Sequence, residues 1–355
     1  MVADVFASAI KLHIEGQFFE AAQKYQVVIE RYPHHSGALN NLGLILGYRD
    51  GLEFFRRAVQ ADVADANIRN NFEKSIIENI GPEAGIASSV IQDLKILNIK
   101  KSSALVNRDG IFNLVIGSSH GDHAFDSIRA KGSVNLCYTS QDMFHTACVY
   151  DWGARHLSKL RTVVIFYSVF SSYFLLQKSE DRWRVAPIKE VFDIDYKYYD
   201  EKIDAISPII SNWSSGYLTP NDQFGFTQQY GNGRYFNNEY GVERRAENHF
   251  TSKRTAGQAL HLVRILLQAR EMGHRVLVVI PPCRHDLRAV LHDKNRYFQE
   301  LHWVREQFKL VGNFDIVDFY DDPFFQYEHF GDFDHLDPQG EGCRYLTDMV
   351  MSRIG

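Results

Sequence analysis

Two short segments hold the residue types from which a nucleophilic site can be assembled. One is Gly117-Ser118-Ser119-His120-Gly121; the other is Asp332-Phe333-Asp334-His335-Leu336-Asp337. A serine hydroxyl is a poor nucleophile until a base takes its proton and an acid orients that base. Ser119, His335 and Asp332 supply those three parts, which points to acyl transfer through an acyl-serine. Each residue alone has a plainer reading: a serine capping the next helix, a turn aspartate, a surface histidine. Together, a strand-end serine and a late D-x-x-H in that order favour catalysis. Asp334 is the other acid within reach, but neighbours on an extended segment point apart, which favours Asp332. His120 and His123 flank Asp122, and His329 and His335 add further ligand types. No H-E-x-x-H spacing or carboxylate cluster accompanies them, so no metal is expected.

The elements around these residues follow from periodicity. Residues 112–116 are a short, apolar, β-branched run ending at Gly117, the pattern of a buried strand. A brief strand at 133–136, a helical stretch at 139–160 and a clear strand at 161–167 come next. A long amphipathic helix over 252–272 feeds a strand at 275–280, stopped by Pro281-Pro282. Residues 294–310 read as helix, 314–319 as strand and 338–354 as a closing helix. Strands alternating with helices imply a parallel sheet covered on both faces, a three-layer α/β/α domain. Ligands of such sheets sit beyond the carboxyl ends of the strands, where Ser119 and the Asp332–His335 segment fall.

Residues 1–80 show helical periodicity only. Ala21, Tyr25, Val28 and Pro33, followed by Leu39, Leu42, Gly43, Phe55 and Ala58, make a partly repeated pattern that resembles the tetratricopeptide repeat, over roughly 60 residues. Both a partner-binding groove and an ordinary helical hairpin, serving as lid or dimer surface, fit this segment. The expected layout is a TPR-like region at 1–80, a linker at 81–110 and a catalytic domain at 111–355, with an aromatic-rich insertion at 170–250.

Gly117–Gly121 also fits G-x-S-x-G, the nucleophile elbow of α/β-hydrolases. Several strands should precede that elbow, whereas only helices and a linker do so here. A D-x-x-H pair close to the C-terminus is instead similar to the SGNH (GDSL-type) hydrolase superfamily, which the chain resembles over 111–355. The resemblance implies Ser119 as nucleophile, His335 as base and Asp332 as its orienting partner. Asn135-Leu136 followed by Ser140 looks like the family's second block, with Ser140 where an oxyanion-hole glycine is usual. The third block, G-x-N-D, is replaced by Ser168-Val169-Phe170-Ser171. Either Ser168 or Ser171 would then replace the asparagine, or the oxyanion would rely on the backbone N–H groups of Ser119 and Ser140. Losing one such donor costs on the order of 10²–10³ in rate, so slow hydrolysis is expected unless something compensates.

Composition narrows the function classes. The chain has 355 residues, 45% hydrophobic and 23% charged, which excludes a disordered or collagen-like protein. A net charge of −5 argues against nucleic acid as a partner. The four cysteines form no C-x-x-C pair, so a zinc ribbon or redox motif is not expected. No signal peptide and no membrane span are read, and a soluble, cytoplasmic location is expected. Within 170–250, rings beside amide side chains suit a carbohydrate site, or a small core of the insertion itself. Trp183, Trp213, Tyr217 and His249 are the expected substrate contacts. Arg244, Arg245, Lys253 and Arg254 are basic groups that either meet an anionic ligand or form a solvated face. The resemblance to bacterial glycan-modifying members implies acetyl as the acyl group and a sugar hydroxyl as its partner, and the missing asparagine and the aromatic insertion favour a carbohydrate O-acetyltransferase. It would hold no tightly bound cofactor and use acetyl-CoA as acyl donor, with a protein partner on the TPR-like helices. A carbohydrate O-acetyl esterase, a plain esterase and a non-catalytic glycan- or protein-binding module are the alternatives.

Overall fold

The computed structural model describes residues 2–62, 64–80, 84–195, 225–226, 241–250, 256–291, 294–312 and 314–355. The chain divides into two compact units, which part between Asn98 and Ile99.

The first unit opens with α1 (Val2–Ile14), α2 (Phe18–Arg31), α3 (Ser36–Asp50), α4 (Leu52–Ala61) and α5 (Ala66–Ile80). Successive helices pack on one another, and α3 also packs on α5. Of the positions that carry the repeat-like pattern, Ala21, Tyr25, Val28, Leu39, Leu42, Gly43, Phe55 and Ala58 are buried and Pro33 is exposed. Gly43 lets the Phe55 ring approach, since a Cβ there would lie 2.9 Å from the ring. Residues 81–110, expected as a linker, carry the 23-residue helix α6 (Ala84–Val106), and the division between the units falls within it. Its apolar residues do not gather on one face, which is why its periodicity is faint.

The second unit contains β1 (Asn113–Gly117), α7 (Ser119–Ala124), β2 (Ser133–Asn135), α8 (Met143–His156), β3 (Thr162–Phe166) and α9 (Val185–Phe192). After these come α10 (Gly241–Phe250), α11 (Ala256–Glu271), β4 (Arg275–Ile280), α12 (His285–Val290), α13 (Lys294–Val311), β5 (Phe314–Asp318) and α14 (Glu341–Ile354). The five strands form one parallel sheet in the order β2-β1-β3-β4-β5. In register, Val115 lies beside Val164, Val164 beside Leu277 and Leu277 beside Asp315. Alternate side chains point to opposite faces. Val115, Val164, Leu277, Val279 and Val317 join Ala124 and Phe125 with Leu346 and Val350 of α14 in one core cluster. Leu114 packs on the other face under α8, close enough that a Cβ on Gly153 would meet it at 2.5 Å. On that face α11 packs against α8 and α13.

The helix expected over 139–160 starts at Met143, because the Asp142 carboxylate caps it by accepting from His145 N–H at 3.0 Å. Strand order reverses at β1: the chain passes outward to β2 and then back across to β3. The connections therefore take opposite faces and leave a crevice at the carboxyl ends of β1 and β3. No helix among the described residues is long and apolar enough to cross a membrane.

Candidate active site

The turn off β1 is fixed by two glycines. Gly117 has φ +140°, and a Cβ on it would lie 2.7 Å from the Phe166 carbonyl oxygen on β3. Gly121 has no room either, since a Cβ would fall 2.4 Å from Cys137 Sγ and 2.7 Å from the Phe166 ring. The first glycine turns the chain and the second lets α7 settle onto the sheet. Ser119, between them, is held at the carboxyl end of the strands.

Ser119 Oγ lies 2.7 Å from His335 Nε2, and His335 Nδ1 lies 2.8 Å from Asp332 Oδ2. A carboxylate only accepts, so Nδ1 carries the proton and Nε2 accepts from the serine hydroxyl. Asp332 Oδ1 also accepts from the backbone N–H groups of Asp334, at 3.0 Å, and His335, at 2.8 Å. The D-x-x-H spacing thus builds a turn in which one carboxylate caps the backbone and orients the ring. Burial alone would raise the Asp332 pKa, but the adjacent His335 holds the carboxyl below the usual range.

Asp334 departs from the expectation of an extended segment. The Asp332 turn folds the chain back, so Asp334 does not point away: its Oδ1 lies 3.3 Å from His335 Nδ1. Burial works to lower the His335 pKa, yet Asp332 and then Asp334 overcome it, and the imidazole is raised above its ordinary value. Asp334 is buried and is held by Arg245, whose Nη2 donates to both carboxylate oxygens at 3.0 Å and whose Nε donates at 3.2 Å. Arg245 is therefore part of the site, while its neighbour Arg244 is exposed.

Of the four histidines considered as ligands, His120 and His335 lie beside Asp334, with candidate ligand atoms within 4.8 Å of one another. The guanidinium on Asp334 already supplies the cation there. The His123 ring lies 4.8 Å from that of His335, and burial, reinforced by the His335 charge, pushes its pKa down to about 4. Asp122 turns away to the buried Lys100, at 2.7 Å. His329 accepts from Gln326 N–H and stacks on Phe324.

Ser119 opens onto a cleft of about 150 Å³. Phe166, Phe170, Phe174 and Met143 give it apolar walls, and Ser118, Ser140, Gln141, Ser168, Asp181 and Arg245 give it polar ones. Ser140 has φ +57°, the left-handed conformation that glycine adopts without cost, and its hydroxyl donates to Asp181 at 2.6 Å. The amide N–H groups of Ser119 and Ser140 donate to no described acceptor. That of Ser168 donates to Ser171 Oγ at 3.0 Å, which leaves the Ser168 hydroxyl as its contribution to the cleft.

Below the cleft, Lys100 and Asp122 are fully buried. Lys100 Nζ also donates to the carbonyls of Asn135, at 3.3 Å, and Gly225, at 2.6 Å. The Asn135 amide donates to the carbonyls of Gly121 and Phe125, so both side chains brace α7 from beneath. Trp183 stacks with the Arg184 guanidinium at 4.4 Å and does not line the cleft. Trp213 and Tyr217 lie outside the described residues, as does the side chain of His249 on α10. A scan against protein-family models and a search of curated proteins both find no match for this chain.

Proposed function

We propose that the chain is a serine-dependent acyltransferase that works through an acyl-Ser119 intermediate, with acetyl as the group carried and a carbohydrate hydroxyl as acceptor. The observation that supports this most is the continuous Ser119–His335–Asp332 relay, with links of 2.7 and 2.8 Å, at the edge of a cleft. Ser119 Oγ would attack the acyl carbonyl while His335 Nε2 takes its proton. Asp332 and Asp334 stabilise the imidazolium, and the amides of Ser119 and Ser140 would receive the oxyanion. His335 returns the proton to the leaving group. It then takes a proton from the acceptor hydroxyl, which attacks the acyl carbon; the bond from that carbon to Ser119 Oγ breaks, and His335 returns the proton to Oγ.

The small, partly aromatic cleft favours a short acyl group. The carbohydrate acceptor is supported by the composition of residues 170–250 and by the SGNH-like motifs, and acetyl-CoA is the proposed donor. Water in place of the sugar would make the same site an O-acetyl esterase. The TPR-like helices would be a docking surface for a protein partner.

The test is intact-mass spectrometry of the protein and of Ser119→Ala, each incubated with acetyl-CoA or with a small activated acetyl ester. An acetyl adduct from acetyl-CoA that maps to Ser119 and is lost there in the variant supports transfer. An adduct or turnover from the ester alone supports a hydrolase. Neither adduct nor turnover from both reagents refutes this reading in favour of a binding module.

A further inference from the structure

The geometry points to a second acyl-accepting hydroxyl in the same cleft: Ser118, with His120 as its base and Asp334 as the acid that orients the base. This rests on the reading of the cleft as an acyl-transfer site. Ser118 occupies the N-cap position of α7, where a serine hydroxyl ordinarily accepts from a backbone N–H two or three residues on. No such cap bond forms; Ser118 Oγ lies instead 3.1 Å from His120 Nδ1. On the far side of that ring, Nε2 lies 3.5 Å from Asp334 Oδ2. In the tautomer that places the ring proton on Nε2, toward a carboxylate that only accepts, Nδ1 offers its lone pair to the Ser118 hydroxyl.

The arrangement repeats the Ser119 relay with the ring reversed, the serine on Nδ1 rather than Nε2. His120 is buried, its ring centroid 5.7 Å from that of Phe170 and 5.1 Å from that of His335, which fixes its orientation. Burial also holds its pKa below the ordinary value, against the pull of Asp334, so the ring is free to accept a proton at neutral pH. Ser118, Ser119 and His120 all line the cleft, so an acyl donor bound there faces both hydroxyls. In the step, Ser118 Oγ bonds to the acyl carbon while His120 Nδ1 takes the hydroxyl proton. The bond from the acyl carbon to the leaving oxygen then breaks, and that oxygen receives the proton from His120. With 4-nitrophenyl acetate the products are acetyl-Ser118 and 4-nitrophenol.

The experiment is labelling with 4-nitrophenyl acetate followed by peptide mapping. It compares wild type, Ser118→Ala, Ser119→Ala, the double alanine variant and Ser119→Ala/His120→Gln, with a thermal melt of each to show that it is folded. The expected result is that Ser119→Ala still acquires one acetyl group, on Ser118. The label forms more slowly than in wild type by on the order of 10²–10³, because the oxyanion donors are aligned to Ser119. It disappears in the double alanine variant and in Ser119→Ala/His120→Gln. Wild type labelled on Ser119 with Ser119→Ala unlabelled would overturn the second hydroxyl and leave the proposed function standing. Label on Ser118 alone in wild type would support the second relay and refute Ser119 as nucleophile. No label in any form of the protein would overturn both.

Discussion

Replacing Asp334 by asparagine keeps the side-chain volume and removes one of the two charges that raise the His335 pKa. At 3.3 Å from Nδ1, and with an effective dielectric near 20, the bare attraction between that carboxylate and the imidazolium is ~5 kcal/mol. Arg245, bound to both oxygens of the same carboxylate, opposes most of this. Each ~1.4 kcal/mol that survives this opposition is one pKa unit. As base, His335 must be neutral, so acylation is lost as pH falls through its raised pKa. In wild type the acid limb of kcat/KM therefore lies above the ordinary histidine value of about 6.5. Asp334→Asn should move that limb down, and Arg245→Met, which leaves Asp334 uncompensated, should move it up. The assay is kcat/KM for 4-nitrophenyl acetate between about pH 5 and 9, with a histidine NMR titration reading the same group without turnover. An acid limb that stays put in Asp334→Asn, or moves the same way in both variants, would refute the assignment of Asp334 as a charge felt by His335.

The supports beneath the site give two further expectations. Lys100→Met leaves Asp122 fully buried without its cation and should cost about 3–5 kcal/mol in urea unfolding, most of it regained in Lys100→Met/Asp122→Leu. Gly121→Ala drives a methyl group into Cys137 and Phe166 and should cost about 1–3 kcal/mol. Its acylation rate at a temperature where it remains folded should fall at least tenfold, since α7 carries Ser119; an unchanged rate would mean that the seating of α7 does not set the nucleophile.

The parts of the site legible in the sequence are those whose chemistry is local. Asp332 and His335 can be read as a pair because three residues make one turn, and the turn itself needs the aspartate as its cap. Gly117 and Gly121 stand out because the strand end and the helix that follows it both press on Phe166. The five strands are legible because buried parallel strands are nearly continuous apolar runs. What could not be read depends on contacts between distant residues. Nothing in the sequence pairs Arg245 with Asp334, 89 residues apart, or Lys100 with Asp122 across the weakly periodic helix α6. Asp334 is hidden for a different reason: alternation holds on an extended strand but not on a chain folded by the aspartate two residues earlier. The aromatic walls of the cleft come from Phe166, Phe170 and Phe174, beside the third strand's end, and not from Trp183.

The two histidines beside Asp334 are driven in opposite directions by one local arrangement. His335 faces Asp332 and Asp334 together, so the carboxylates win over burial and the ring is more readily protonated. His120 faces Asp334 across a longer gap, with Arg245 and His335 adding positive charge, so burial wins and the ring stays neutral. Environments that separate two titratable groups in this way give two neighbouring bases different strengths. Asp334 touches both rings, so a change in its charge shifts both together. The Asp334→Asn profile should therefore show, besides the lowered acid limb, slower labelling of Ser118 in the Ser119→Ala background. If Ser118 labelling were unaffected while the His335 limb moved, Asp334 would belong to the first relay alone.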